Sequence, residues 1–361
     1  MTSSAMMASW LDVSRQESRI FIEVELKPAQ GQRFQPTGFP DLGPARFESA
    51  DGTPFLLVES VQSMANRLEA VCWDEAAGDL VAPLRGLPWV KVEVVGPDGT
   101  VIGETSSVLE AHRLNSPYII GDEDGEFRRL LSEAAGIQAR KGGRGRRGAD
   151  ASQESASVGL VDRRRLAQAV FRFDPFSVLH GVFLEKLDGR ARLTRALSAF
   201  IEAEDARSVL SGGVKNDRID PQGDTQAGFG NVPFTREEFV ARRIVAYFNL
   251  DLALLRSYGL PSPATELLTL LSLWKIRRFL DHGLRLRTAC DLVVKEERVV
   301  RPQGLHLPRV EELEPELRRL IEACRPYFAS PPVTRVVARY QRKKGATEPS
   351  RDGDSAQETD D

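Results

Sequence analysis

Ile20-Phe21-Ile22-Glu23-Val24-Glu25-Leu26 alternates apolar and polar side chains, with Ile20, Ile22, Val24 and Leu26 on one side and Phe21, Glu23 and Glu25 on the other. A period of two predicts a strand with one buried face. Phe55 to Val58 predicts a second, shorter strand leading into a helix over Ser60 to Trp73. There Val61, Met64, Ala65, Leu68, Val71 and Cys72 share a stripe, while Gln62, Ser63, Asn66 and Arg67 lie off it. Between the two strands, Arg33 to Gly52 is rich in Gly, Pro, Phe and Asp and is expected to be an ordered loop.

Downstream, Trp89 to Val95 and Val101 to Glu104 flank Pro97-Asp98-Gly99 and predict a hairpin. Helices are expected at Ser107 to Arg113, at Glu126 to Ala135 with Gly136 as its stop, and at Asp162 to Phe171. Leu193 to Ala203 predicts a strand. Thr235 to Leu255 suits both periods and is taken as a strand followed by a helical turn. Ser262-Pro263 opens a helix that His282-Gly283 closes. Arg285 to Val294 predicts a strand, and Pro315 to Cys324 a last short helix. Strands mixed with single helices and hairpins give an α+β fold and not a regular βα repeat.

The 361 residues allow two domains or one large decorated one, at roughly 150 residues per domain. The expected division is one domain over residues 1–344, carrying a basic Gly/Arg-rich insertion at 138–157 and a loop at 211–234, and a disordered acidic tail at 345–361. No run reaches the roughly 18 uncharged apolar residues that span a bilayer. Met1 to Trp10 lacks the basic start of a secretory leader, so the chain is expected in the cytoplasm with no membrane partner. Cys72, Cys290 and Cys324 are far apart and form no C-x-x-C pair, which argues against a disulfide framework or zinc ribbon. Cys72 and Cys324 read as reduced core thiols.

The formal charge of -3 hides an uneven distribution. Gly345 to Asp361 holds six acids and one base, which leaves the rest of the chain at +2. Ala139 to Arg172 has nine bases against three acids, Lys275 to Arg301 eight against four, and Arg335 to Lys344 five against none. Patches of this kind suit a phosphate backbone. In the insertion, Gly143, Gly145 and Gly148 spell G-x-G-x-x-G, but without the strand before and the helix after that a dinucleotide site needs. Arg140, Lys141, Arg144, Arg146 and Arg147 make it a candidate nucleic-acid arm instead.

No P-loop, H-E-x-x-H or G-x-S-x-G occurs, and the four histidines form no i, i+4 pair. Ser177 near His180 has no nucleophile motif around it. Asp217, Asp220 and Asp224 lie in a glycine-rich loop where turn formation explains them as well as metal binding does. The expectation is therefore no catalytic residue, no metal and no cofactor.

Five runs give the chain a resemblance. Gln35 to Gly43 (QPTGFPDLG), Leu57 to Glu69 (LVESVQSMANRLE), His112 to Ile119 (HRLNSPYI), Gly228 to Phe234 (GFGNVPF) and Leu286 to Leu292 (LRTACDL) together resemble the backbone subunit of type I-G CRISPR Cascade complexes, formerly type I-U. The similarity spans about residues 15–330. It implies a RAMP-superfamily protein, with an RRM-like, ferredoxin-like palm and finger and thumb insertions. It also implies a non-enzymatic role, in which several copies line one CRISPR RNA, each thumb kinks the strand, and the guide is held for pairing with target DNA. Further partners implied are a large subunit and a guide-processing or cap subunit.

On this resemblance Ser211 to Phe234 occupies the thumb position. Candidate RNA contacts are Ser60, Gln62, Ser63, Asn66 and Arg67, then Arg113, then Lys215, Asn216 and Arg218 at the thumb base, with Arg285 and Arg287. Phe229 is the candidate wedge. A backbone protein that accepts any guide has to contact phosphates and 2′-hydroxyls and not base edges. Two alternatives stand beside this. One is an RNA-cleaving RAMP subunit of the type III kind, with Asp217 in the place of the loop aspartate; the other is a free-standing RNA-binding protein.

Overall fold

The computed structural model describes residues 3–38, 43–121, 125–137, 161–188 and 191–340. The strands that organise it, in chain order, are β1 (Arg19–Pro28), β2 (Arg46–Glu48), β3 (Pro54–Glu59), β4 (Trp89–Val95), β5 (Val101–Ser106) and β6 (Leu197–Glu204). They continue with β7 (Arg207–Lys215), β8 (Val232–Val240), β9 (Arg243–Asp251), β10 (Arg285–Arg287), β11 (Cys290–Arg301) and β12 (Val333–Arg339). The main helices are α1 (Ser3–Gln16), α2 (Val61–Ala70), α3 (Glu126–Ala135), α4 (Arg163–Phe173), α5 (Pro175–His180), α6 (Leu252–Ser257), α7 (Ser262–His282) and α8 (Val310–Cys324).

Seven strands form one sheet in the order β10-β11-β1-β9-β6-β3-β2, with antiparallel neighbours throughout. The alternation at Ile20 to Leu26 does what period two requires. Ile20, Ile22, Val24 and Leu26 are buried, opposite Leu250, Phe248, Ala246 and Ile244 of β9. Helices α2 and α7 lie on that buried face, and α1 and α8 pack on α7 from the other side. Helix α7 is therefore enclosed, which explains why it is apolar nearly all round. A second sheet, β12-β4-β5, has β12 parallel to β4. No helix among the described residues is long and apolar enough to cross a membrane.

Several expectations are corrected. Ser107 to Arg113 is a turn followed by a single 3-10 turn at Arg113–Asn115, with Arg113 at φ 52°, a left-handed backbone that a helix cannot hold. Arg285 to Val294 is not one strand but the hairpin β10–β11, turned at Ala289 with φ 58°. Helix α8 begins at Val310, five residues before Pro315, because Glu312 reaches back to the Arg309 backbone N–H at 2.8 Å. Helix α1 and strand β12 are elements that the sequence patterns do not predict. Within Thr235 to Leu255, the turn at Ala241–Arg242 separates β8 from β9, and α6 follows as the helical turn.

Ser211 to Phe234, readable from sequence as a long loop or an irregular hairpin, lies on a hairpin arm. Strands β7 and β8 form a two-stranded sheet of their own, from Arg207↔Val240 to Lys215↔Val232, tied to the rest at its base by a bridge from Phe239 to Phe34. The arm leaves the sheet after β6 and returns into β9. All three cysteines are free and buried, and burial pushes the Cys72 thiol up to about 11 and the Cys324 thiol up to about 12.

Candidate nucleic-acid interface

Strand β3 ends on Glu59, a carboxylate with no exposed surface. Three segments that are far apart in sequence close over it. Ser60 caps α2 by accepting from the Ser63 N–H at 3.2 Å, and the Ser63 hydroxyl donates to Glu59. From the next turn, Arg67 donates to Glu59 at 2.9 Å and to the Leu286 carbonyl at 2.6 Å. From β10, Arg287 donates to the same carboxylate, to the Gln35 carbonyl at 3.0 Å and to the Val58 carbonyl at 3.3 Å. The Gln35 N–H in turn donates to the Ala289 carbonyl at 2.9 Å. Burial pulls both guanidinium pKa values below the ordinary arginine range. Two arginines on one carboxylate leave one positive charge in excess at this junction.

A second buried knot fixes α2 from below. Glu69 takes a bidentate bridge from Arg113, both bonds 2.6 Å, and Arg113 also donates to the Gly181 carbonyl at 3.3 Å. Burial raises the Glu69 carboxyl and Arg113 opposes it. Nearby, Lys275 has no exposed surface, and its Nζ lies 2.8 Å from His180 Nε2 and 4.7 Å from the Phe176 ring centroid. Burial lowers the lysine and takes the histidine well below its ordinary value.

On the outer side of α2, Gln62 and Asn66 are exposed and joined at 3.3 Å. Arg195 bridges onto Gln62 and the first turn of the helix, donating to the Val61 carbonyl at 3.1 Å and to Gln62 Oε1 at 2.8 Å. The result is a polar strip over the first turns of α2, backed by Arg195, Arg67 and Arg287. It offers hydroxyls, amides and cations that suit sugar and phosphate oxygens.

The arm stands off this junction, and Arg33, Phe34 and Arg46 pin its base. Phe34 and Phe239 exchange two backbone bonds at 2.9 Å and are both buried. Arg33 reaches Ser211 and Glu238, both at 3.0 Å, while Arg46 pairs with Glu237 and covers the Phe239 ring. Beyond the base the arm is open: Leu210 is 89% exposed, Ile219 96% and Phe229 58%. Lys215, Asn216 and Arg218, expected at the base of the arm, lie instead at the far end of β7 near the tip, where they are exposed. Asp217 shapes that tip, accepting from the N–H groups of Ile219 at 2.8 Å, Gly230 at 3.0 Å and Asp220 at 3.2 Å. These bonds hold its carboxyl below the usual range. Among the described residues no cluster of three or more His, Cys, Asp or Glu could hold a metal ion.

The candidate contacts thus fall into distinct places. Ser60, Gln62, Ser63, Asn66, Arg67, Arg285 and Arg287 share the α2–β10 junction; Arg285 is exposed there, while Arg67 and Arg287 turn inward to Glu59. Arg113 is buried against Glu69. Lys215, Asn216, Arg218 and Phe229 are on the arm. Arg140, Lys141, Arg144, Arg146 and Arg147 fall outside the described residues, as do the insertion 138–157 and the tail 345–361. Sequence reasoning passed over Glu59, although it stands inside the run Leu57 to Glu69, where the carboxylate closing a strand ahead of an arginine-bearing helix was a usable signal. Arg195, between Thr194 and Ala196, carried none.

A curled antiparallel sheet backed by helices, with a protruding arm and a polar strip at its root, defines a mixed α+β protein. Comparison with known families adds the rest: the sequence model of the family described as CRISPR-associated protein GSU0053 matches residues 20–208, just over half of the chain, and the chain belongs to that family. No curated protein matches it. Among solved structures, a chain of a "CRISPR RNA-guided surveillance complex, pre-nicking" is similar at 15% identity and a TM-score of 0.42, over 84% of this chain and 88% of that one. Csc2 of Thermofilum pendens is similar at 11% identity and a TM-score of 0.29, over 84% and 76%. At these scores neither likeness carries weight for fold or function.

Proposed function

We propose that this chain is the backbone subunit of a type I-G CRISPR Cascade complex. It is not an enzyme; it binds CRISPR RNA without sequence preference and lines up in several copies along the guide. Together with a large subunit and a guide-processing or cap subunit, it presents that guide for pairing with target DNA in the cytoplasm. The observation that carries this reading is membership of a CRISPR-associated family in a chain whose family-like runs interlock, three of them around Glu59 and two through Glu69 and Arg113.

Two features of the fold support it. Strands β1, β6, β9 and β11, with α2 and α7 between them in the chain, have the spatial order β11-β1-β9-β6. That is the order of a ferredoxin-like β-α-β-β-α-β unit, the expected palm. The arm leaves between the second and third of those strands and takes the part of the thumb, with Phe229 at its tip as the wedge.

The test is a mobility shift with a repeat-spacer RNA at low salt. Shifted species increasing in steps with guide length, and weakening steeply as salt rises, are expected. Absence of any shift, together with an absorbance ratio of bare protein after purification, overturns the reading.

A further inference from the structure

Helices α2 and α7 cover one face of the large sheet; on the other, among the described residues, Phe21, Glu23, Glu25, Phe200, Glu202 and Tyr247 stay partly exposed. There Phe200 of β6 and Tyr247 of β9 are register partners and stack, with ring centroids 5.0 Å apart and planes at 25°. Phe200 takes one side of the tyrosine ring. The other side turns toward β1, where the register partner of Tyr247 is Glu23. Next to it runs a surface cleft of about 340 Å³, lined by Glu23, Glu25, Arg243, Val245, Glu296 and Arg298.

The charges around this cleft are unevenly matched. Arg298 is held by Glu23 at 2.8 Å, Lys295 by Glu25, and Arg243 lies between Glu25 at 3.7 Å and Glu204 at 3.5 Å. Glu202 and Glu296 have no cation among the described residues. Burial lifts the Glu202 carboxyl above its ordinary value with no cation to offset it. Burial, then Glu23 and Glu202, push the Tyr247 hydroxyl up against the smaller opposing pull of Arg243, so the two carboxylates outweigh the one cation that acts on the ring. An aromatic face between carboxylates complements a guanidinium, which stacks on the ring and pairs at its edge. It opposes a phosphate backbone, which would set like charges against the unmatched glutamates.

We propose that this partly exposed sheet face docks an arginine-bearing segment of a partner protein, with a guanidinium against Tyr247 between Glu23 and Glu202 and with Glu296 available to a second basic side chain. This is a protein-docking face, separate from the polar strip and arm assigned to RNA, and it holds whether or not the guide is bound.

The test titrates the full chain with a fluorescein-labelled peptide of alternating arginine and glycine, with its citrulline counterpart and with oligouridylate of matching length. The arginine peptide should bind and the citrulline peptide should not. Glu202→Gln and Tyr247→Ala should each weaken arginine-peptide binding by about two- to five-fold, while Tyr247→Phe keeps it. Because the acidic tail also attracts such a peptide, the differences among these variants carry the result; should Tyr247→Ala fail to fold, Glu202→Gln and Tyr247→Phe decide. Wild-type binding by Glu202→Gln and Tyr247→Ala, or loss of binding in Tyr247→Phe, overturns the proposal. So does oligouridylate binding that Tyr247→Ala abolishes, which would make the face a base-stacking platform.

Discussion

Glu59 and Asp174 show how one side chain answers for its surroundings. Removing Glu59 leaves two half-buried guanidinium groups without their shared acceptor, and breaking a buried pair from one side costs about 3–5 kcal/mol. Glu59→Ala is expected to lose stability on that order in chemical denaturation, whereas Asn66→Ala, on the exposed side of the same helix, should weaken RNA binding with an unchanged denaturation midpoint. Asp174 is buried and caps α5, accepting from the N–H groups of Phe176 at 2.9 Å and Ser177 at 3.2 Å. Burial pushes its carboxyl up to about 6. A raised folded-state value means that the native protein holds this proton after the unfolded chain has lost it. Stability from this residue is therefore greatest below an unfolded value of about 3.9 and declines up to about 6. Asp174→Asn keeps the cap and removes the titration. Relative to it, the wild type should lose roughly 3 kcal/mol as pH rises across that window, and no more above it; a constant difference between the two would contradict this.

The arm is the element on which the proposed assembly along the guide rests. Its outer strands bury almost nothing, and a two-stranded hairpin alone is marginal in water, so its exposed Leu210, Val214 and Ile219 point to contacts outside this chain. Replacing Gly213 to Val232 by a short Gly-Ser link should leave the melting temperature nearly unchanged, because Phe239 and Phe34 at the base remain. Ordered assembly on the guide should be lost, read as disappearance of regularly spaced nuclease protection. At the tip, Asp217→Ala removes the acceptor of three backbone N–H groups. The expected effect is a looser tip, with no regularly spaced cleavage products from a complementary RNA in either protein when magnesium is present. Products that vanish in the variant would make Asp217 catalytic. The sequence showed the glycines of this segment but not its pairing, since Ser208↔Phe239 or Gly213↔Phe234 are ladder partners that no local period announces.

For the molecule as a whole, the distribution of charge matters more than its sum of -3. Many basic residues of the fold are consumed internally, as at Glu59, Glu69 and the ion pairs of the partly exposed sheet face. The five bases at Arg140, Lys141, Arg144, Arg146 and Arg147 stand in a stretch with no acid between them. Changing all five to Ala should lower RNA affinity and flatten its salt dependence by up to about 0.7 for each phosphate no longer neutralised, with little change in melting temperature. Binding with an unaltered salt slope would show that these charges touch no phosphate.

What could be read along the chain was whatever repeats locally. Period two at Ile20 to Leu26 and the helical stripe at Met64, Ala65 and Leu68 express the burial of one face; the stop at Gly136 is a left-handed cap, and the helix from Ser262 to His282 shows in its opening proline and its apolar run, all of which need only neighbours in sequence. The family resemblance was legible for the same reason, as short runs of unusual residues. Tertiary structure decided which charges remain available. Arg67 and Arg287 look alike in sequence to Arg285, yet both fold onto Glu59, one from eight residues away and the other from 228, and Arg113 meets Glu69 across a left-handed turn. Lys275 and His180, 95 positions apart, come together only when α7 is enclosed between the sheet and α1 and α8. A buried charge is stable only beside a partner, and a partner is chosen by proximity in space, which no periodicity records.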